Sequence, residues 1–119
     1  MKKLAAIIFM VTIMLVPVPA VSKTIDMGEF KLTAYCPCWE CSEGYGRKTS
    51  TQTYARSEHT IAVDPSVISY GSKVKIGDRI YIAEDCGGGV KGDHIDIFVD
   101  THEEVEDFGV KYRQVKIVR

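Results

Sequence analysis

The chain has 119 residues, 26% of them charged, and a formal net charge of −1. That length sets a single domain as the expectation. The near-neutral, slightly acidic balance argues against nucleic acid or an anionic lipid surface as a partner. Met1-Lys-Lys3 is a basic start, Leu4 to Val21 carries no charge, and Pro17-Val-Pro-Ala-Val-Ser22 supplies the small residues an export peptidase needs. Residues 1–22 therefore read as a secretory signal with cleavage after Ala20 or Ser22. The competing reading is an uncleaved anchor, but the run is near the lower length limit for a spanning helix and two prolines interrupt its end. Removing it leaves 13 basic and 16 acidic residues in 23–119, a net charge of −3. The expected product is a monomer, secreted or held in the cell envelope, with no membrane contact after cleavage.

Glu29–Tyr35 alternates and reads as a strand. Residues 36–59 are polar and rich in Gly, Ser and Thr, a long loop of the kind that tends to be functional. Thr60–Val63 is a short apolar strand, followed by a turn that Asp64-Pro-Ser opens and Ile68–Gly71 closes. Ser72–Ile76 and Arg79–Ala83 form a hairpin around Gly77-Asp78. In His94–Val99, alternation puts Ile95 and Ile97 on one face, Asp96 and Phe98 on the other. Asp100–Gly109 reads as a short helix capped by Asp100 or Thr101 and ended by Gly109. Val110–Val118 is a last strand. The sum is all-β: about six short strands and one small helix, a compact barrel.

The stretch with most chemical content is Asp85-Cys-Gly-Gly-Gly-Val-Lys-Gly-Asp-His-Ile-Asp96. Its glycines, with Gly88 as the candidate contact, let a ligand or a backbone come close. Carboxylates beside such a segment are candidates for acid/base work on a polymer lying in a groove. Asp64 and Asp85 follow apolar strands and Asp96 lies inside one, so a barrel can gather all three at one mouth. Lys91 is a candidate for orienting an oxygen of that polymer or is a solvated loop lysine, and His94 is a candidate for a hydrogen bond near Asp96. Trp39 and Tyr45 can grip the polymer or cap a small satellite core. His59 and His102 read as surface residues. The glycine run lacks the Gly-Lys-Ser/Thr ending of a phosphate loop.

Four cysteines remain to be placed: Cys36, Cys38, Cys41 and Cys86. In an exported chain the first reading is two disulfides, with three possible connectivities. The competing reading is a four-thiolate zinc site, although a second Cys-x-x-Cys is missing. Nothing nearby is placed to activate a nucleophilic cysteine. No cofactor and no metal are expected.

Four motifs occur in a familiar order: Thr33-Ala-Tyr-Cys-Pro-Cys, Ile61-Ala-Val-Asp-Pro-Ser-Val-Ile, Ala83-Glu-Asp-Cys-Gly-Gly-Gly-Val-Lys-Gly and His94-Ile-Asp-Ile-Phe. Together they resemble the three-aspartate (3D) domain, from about Phe30 to Val118, with Asp64, Asp85 and Asp96 on the three acidic positions. The resemblance implies a six-stranded double-psi β-barrel, as in membrane-bound lytic transglycosylase A and stationary-phase survival proteins. It implies a peptidoglycan partner and cleavage of the MurNAc–GlcNAc β-1,4 bond with a 1,6-anhydro end. The catalytic acid falls on Asp96, and Thr33 and Tyr35 fall on a groove-lining strand. Two departures stand out: Cys86 where the family usually has threonine, and Ser69 where it usually has proline.

An aspartic acid in water has a pKa of ~4 and starts ionised, so the acid needs neighbours that hold its proton. Asp85, with Asp64, is the expected source of that shift. Two other classes compete with the lyase: a non-catalytic, expansin-like glycan-binding module, since fold alone does not assign function, and a metal-dependent site built from the acids or the thiolates.

Overall fold

The structure is a computed structural model that describes residues 8–15 and 23–119. The expected cleavage positions lie outside the described residues. Among the described residues no helix is long and apolar enough to cross a membrane.

Among the described residues six strands and two short helices follow one another: β1 (Thr24–Tyr35), α1 (Trp39–Ser42), β2 (Thr60–Ala62), β3 (Lys73–Ile76), β4 (Arg79–Asp85), β5 (His94–Phe98), α2 (His102–Phe108) and β6 (Lys111–Val118). The strands close a barrel in the order β1-β5-β2-β4-β3-β6. Two pairs are parallel, β1 with β5 and β2 with β4, and the other four are antiparallel. This is the expected double-psi barrel. Three details differ from the sequence reading. β1 starts five residues earlier, Asp85 is the last residue of β4 instead of following it, and α1 gives the long loop a helical turn.

β1 is long because it serves two partners. Residues up to Phe30 pair only with β6, Lys31 and Leu32 pair with both β6 and β5, and Thr33 to Tyr35 pair only with β5. The register with β6 shifts between Asp26 and Gly28. Gly28 takes φ 84° there, and its N–H donates to Asp26 Oδ1 at 2.9 Å. A residue with a Cβ is strained in that conformation, so glycine is what lets the strand bend.

Strand alternation sorts side chains into two apolar groups. Phe30, Leu32, Ile61, Val63, Ile68, Val74, Ala83, Ile95, Ile97 and Val115 fill the barrel interior. Tyr35, Ala55, Ala62, Val90 and Phe98 form a second group on the other face of β1, β2 and β5, with Cys41 packed against it. Ile95 and Ile97 thus point in and Phe98 points out, as the period of two requires. The long loop is held over this outer face. Thr49 is buried and bonded to Thr53 at 2.6 Å, and the Ala55 N–H donates to the Arg47 carbonyl at 2.7 Å. Thr101 caps α2 by accepting from the Glu104 N–H at 3.2 Å.

Because Ile95 is fully buried at the barrel centre, Ile95→Ala should lower unfolding free energy by about 2–5 kcal/mol. Chemical denaturation followed by circular dichroism measures this; a loss below the Ile→Val range would mean the centre is loosely packed.

Candidate functional site

The outer face of β1, β5 and β2 floors a groove of about 840 Å³. One wall is the long loop, with Tyr45, Lys48, Thr49 and Ser50, and the other is the glycine run from Gly87 to Gly89 with Val90 and Lys91. Tyr35, Asp85, His94 and Asp96 lie on the floor. Register explains why. Thr33 pairs with Asp96 across the parallel β1–β5 ladder. Ala62 pairs with Asp96 on one side and with Asp85 on the other. The two acids therefore rise on either side of one methyl group, with Cα atoms about 10 Å apart from two strand spacings.

Asp96 is half-buried and accepts a hydrogen bond from the Thr33 hydroxyl at 3.0 Å. Burial pushes its carboxyl above the ordinary 3.8; Thr33 and His94 pull the other way, and Asp85 adds to the rise. The expectation that neighbouring carboxylates do most of this is corrected: desolvation leads, Asp85 is a smaller cause, and Asp64 is not among the causes.

Thr33 has a second partner. Its Oγ1 lies 2.7 Å from His94 Nε2, and His94 Nδ1 lies 3.2 Å from the Gly89 carbonyl. A carbonyl only accepts, so Nδ1 carries a proton. The Thr33 hydroxyl has one proton to give. When Asp96 is protonated it can donate to Thr33, which donates to the bare Nε2. When Asp96 is ionised, Thr33 donates to it instead. One hydroxyl proton thus serves two possible acceptors, and Thr33 bridges the Asp96 carboxyl and the His94 ring.

Asp85 is held differently. Its Oδ2 accepts from the Tyr35 hydroxyl at 2.9 Å, and its Oδ1 from the N–H groups of Ser50 and Cys86 at 3.0 and 2.9 Å. Burial raises the Tyr35 phenol far above its usual range, with Asp85 adding to the shift, so Tyr35 remains a donor. The bond from Ser50 also ties the long loop to the floor.

Asp64 stands apart from this pair. Its Oδ1 accepts from the Ser66 N–H and hydroxyl at 3.0 and 2.7 Å, and its Oδ2 from the Gly92 N–H at 2.9 Å. The Gly92 bond, then those of Ser66, hold its carboxyl at about 2. It does not line the groove. Its geometry is that of an ionised clamp that fixes the end of the glycine run, where Gly92 takes φ 66°.

Lys91 is exposed on the groove wall and Gly88 is exposed beside it. A Cβ at Gly88 or Gly89 would meet nothing within 4 Å, and neither has positive φ. Neither packing nor backbone conformation demands glycine there, which leaves room in the groove as its use. Tyr45 is exposed and lines the groove, whereas Trp39 lies across Gly44.

All four cysteines are free thiols. Cys36, Cys38 and Cys41 come together, and the fourth member of their cluster is His102, not Cys86. The expected link between Cys86 and the 36–41 loop is absent: Cys86 is exposed near Tyr70. His102 was read from the sequence as a surface residue. The only signal that could have found it is topological, since it opens the helix that follows β5.

The sequence matches the 3D domain family over residues 59–119. The chain belongs to that family. Cell wall-binding protein YocH of Bacillus subtilis is 46% identical over 59 residues, 49% of this chain and 21% of YocH. The SPbeta prophage-derived protein YorM of the same organism is 35% identical over 100 residues, 76% of this chain and 41% of YorM. The chain thus spans less than half the length of these relatives. MltA of Escherichia coli, a lytic transglycosylase, is similar in fold, with TM-score 0.54 and 23% identity over 60% of this chain and 27% of MltA. A further MltA structure at the same TM-score and 22% identity holds chitohexaose.

The Asp64 clamp gives a pH prediction. Its folded pKa of about 2 lies below the reference 3.8, so the stability it contributes is present above pH ~4 and lost as pH falls toward 2. Asp64→Asn should flatten thermal stability across that window and speed amide exchange in residues 86–92. Unchanged exchange in the variant would show that the glycine run holds its shape alone.

Proposed function

We propose that this 3D domain is a peptidoglycan lytic transglycosylase that cleaves the MurNAc–GlcNAc β-1,4 bond and leaves a 1,6-anhydro end. The observation that carries this reading is the half-buried Asp96 carboxyl on a groove floor, with its pKa raised and Thr33 linking it to His94. The family membership, the cell wall-binding name of YocH and the chitohexaose complex of MltA support a β-1,4-linked amino sugar polymer as the ligand.

Cleavage needs a proton on the leaving oxygen while positive charge builds at the sugar C1. Protonated Asp96 supplies that proton. The sugar's C6 hydroxyl then attacks C1, and the Asp96 carboxylate accepts the proton that hydroxyl sheds. No water is consumed, and Asp96 ends as it began. Thr33 stabilises the carboxylate between the two transfers by donating to it. Asp85, fixed by three donors, supplies negative field near the developing oxocarbenium ion. Gly88 and Gly89 leave space for the sugar rings, and Tyr45 and Lys91 offer contacts along the wall.

A second reading rests on the YocH name: a module that grips the wall without cutting it. Digestion of purified sacculi followed by mass spectrometry separates the two. The lyase yields anhydro-muropeptides; binding to sacculi with no soluble product would favour the grip alone.

Asp96→Asn should abolish product at neutral pH. The folded pKa of Asp96 is raised, so the stability tied to its protonated form is complete below 3.8 and is lost as pH rises through the folded value. The variant should therefore keep, or slightly gain, thermal stability at pH 7. Full activity in that variant would remove Asp96 from the role.

Thr33→Val removes the hydroxyl that lowers the Asp96 pKa. We expect at least about a tenfold fall in kcat, within the range for impaired acid/base transfer. The alkaline limb of the pH–rate profile should move upward, and Thr33→Ser should restore both. An unmoved limb would mean Thr33 serves packing only.

A further inference from the structure

We infer that Cys36, Cys38, Cys41 and His102 bind one zinc ion as a structural Cys3His site that fastens the groove's long loop to the barrel. His102 Nδ1 lies 3.5 Å from the Cys38 and Cys41 sulfurs and 3.8 Å from that of Cys36. All four ligand atoms lie within 4.8 Å of one another. In a tetrahedral site with Zn–S near 2.3 Å and Zn–N near 2.0–2.1 Å, sulfur and nitrogen stand about 3.6 Å apart. The spacing is that of a closed shell around one small ion.

The second ring nitrogen of His102 is also provided for. Nε2 faces Glu106 Oε1 at 3.5 Å and Glu40 Oε2 at 3.8 Å. Metal-binding imidazoles usually turn their free N–H to a carboxylate in this way, which sets the tautomer that leaves Nδ1 bare for the ion. Three thiol protons leave for solvent as the ion binds, so the site carries a net charge of −1 beside these acids.

Disulfides account for the cluster less well. Three sulfurs converge, so any bond between two of them strands the third against the imidazole. The fourth thiol, Cys86, stands apart from the cluster. The topology also accounts for the site. β1 and β5 run parallel and leave the barrel at the same end, Tyr35 beside Phe98. The next residue after β1 is Cys36, and α2 opens with His102 soon after β5. Cys38 directly precedes α1 and Cys41 sits on it. Cys41 and its neighbours line the groove, so an ion there would hold one groove wall against the strand that carries Thr33 and Tyr35.

The full chain, purified without added chelator, should contain one zinc per molecule by elemental analysis, and four reactive thiols after unfolding with a chelator. Replacing zinc with cobalt should give the visible bands of a tetrahedral ion and thiolate charge-transfer absorption. His102→Ala and Cys41→Ser should lose that spectrum at equimolar cobalt; His102→Cys and Cys86→Ser should retain it. A chelator should lower the Tm of the wild type. Substoichiometric metal with a disulfide among Cys36, Cys38 and Cys41 overturns the inference, as does an intact spectrum in His102→Ala or its loss in Cys86→Ser. If a variant fails to fold, zinc content and thiol count of the wild type decide alone.

Discussion

The parallel pairing of β1 with β5 is the constraint from which the rest of the molecule follows. One register sets Thr33 beside Asp96 and Tyr35 beside Phe98. The first pair is joined by a hydrogen bond of 3.0 Å and the second by an edge-to-face aromatic contact with centroids 5.3 Å apart. Because parallel strands exit at the same end, the same register brings the cysteine loop and α2 together. A one-residue slip would turn Thr33 and Asp96 toward opposite faces and end both arrangements.

Burial and charge act on the three aspartates in different ways. Asp96 sits where solvent is scarce and its ionised form has one hydroxyl donor. Asp85 has three donors. Asp64 has three as well, two from backbone N–H groups, and is driven to about 2. Residues of one chemical type therefore differ by setting: Asp96 has a single donor and little water, Asp85 is fixed on the groove floor, and Asp64 clamps the glycine run. Asp96 is set apart by its few donors and scarce water, and Asp64 from Asp85 by the segments their donors come from.

Much of the fold was legible in sequence. Period-two alternation placed Ile95 and Ile97 inside and Asp96 and Phe98 outside, and turn residues marked the β3–β4 hairpin. The early start of β1 was not, because Gly28 reads as a break when it is a bend. α1 was hidden because four residues carry too little periodicity to register. In the site, motif and alternation point to Tyr35, Asp85, Gly88, Lys91, His94 and Asp96, which line the groove, and to Thr33, which reaches it only through its hydrogen bonds to Asp96 and His94. Asp64 was grouped with the acids because sequence spacing does not show which donors reach a carboxylate. His102 was missed for a related reason: 61 residues separate it from Cys41, and only strand order closes that gap.

Ala62 occupies the midpoint of the floor, between the two acids. Its methyl is buried in the apolar group beneath the groove. A bulkier residue would press that group outward and raise the bed between both acids at once. The depth of the channel is therefore governed by a position with no chemistry of its own.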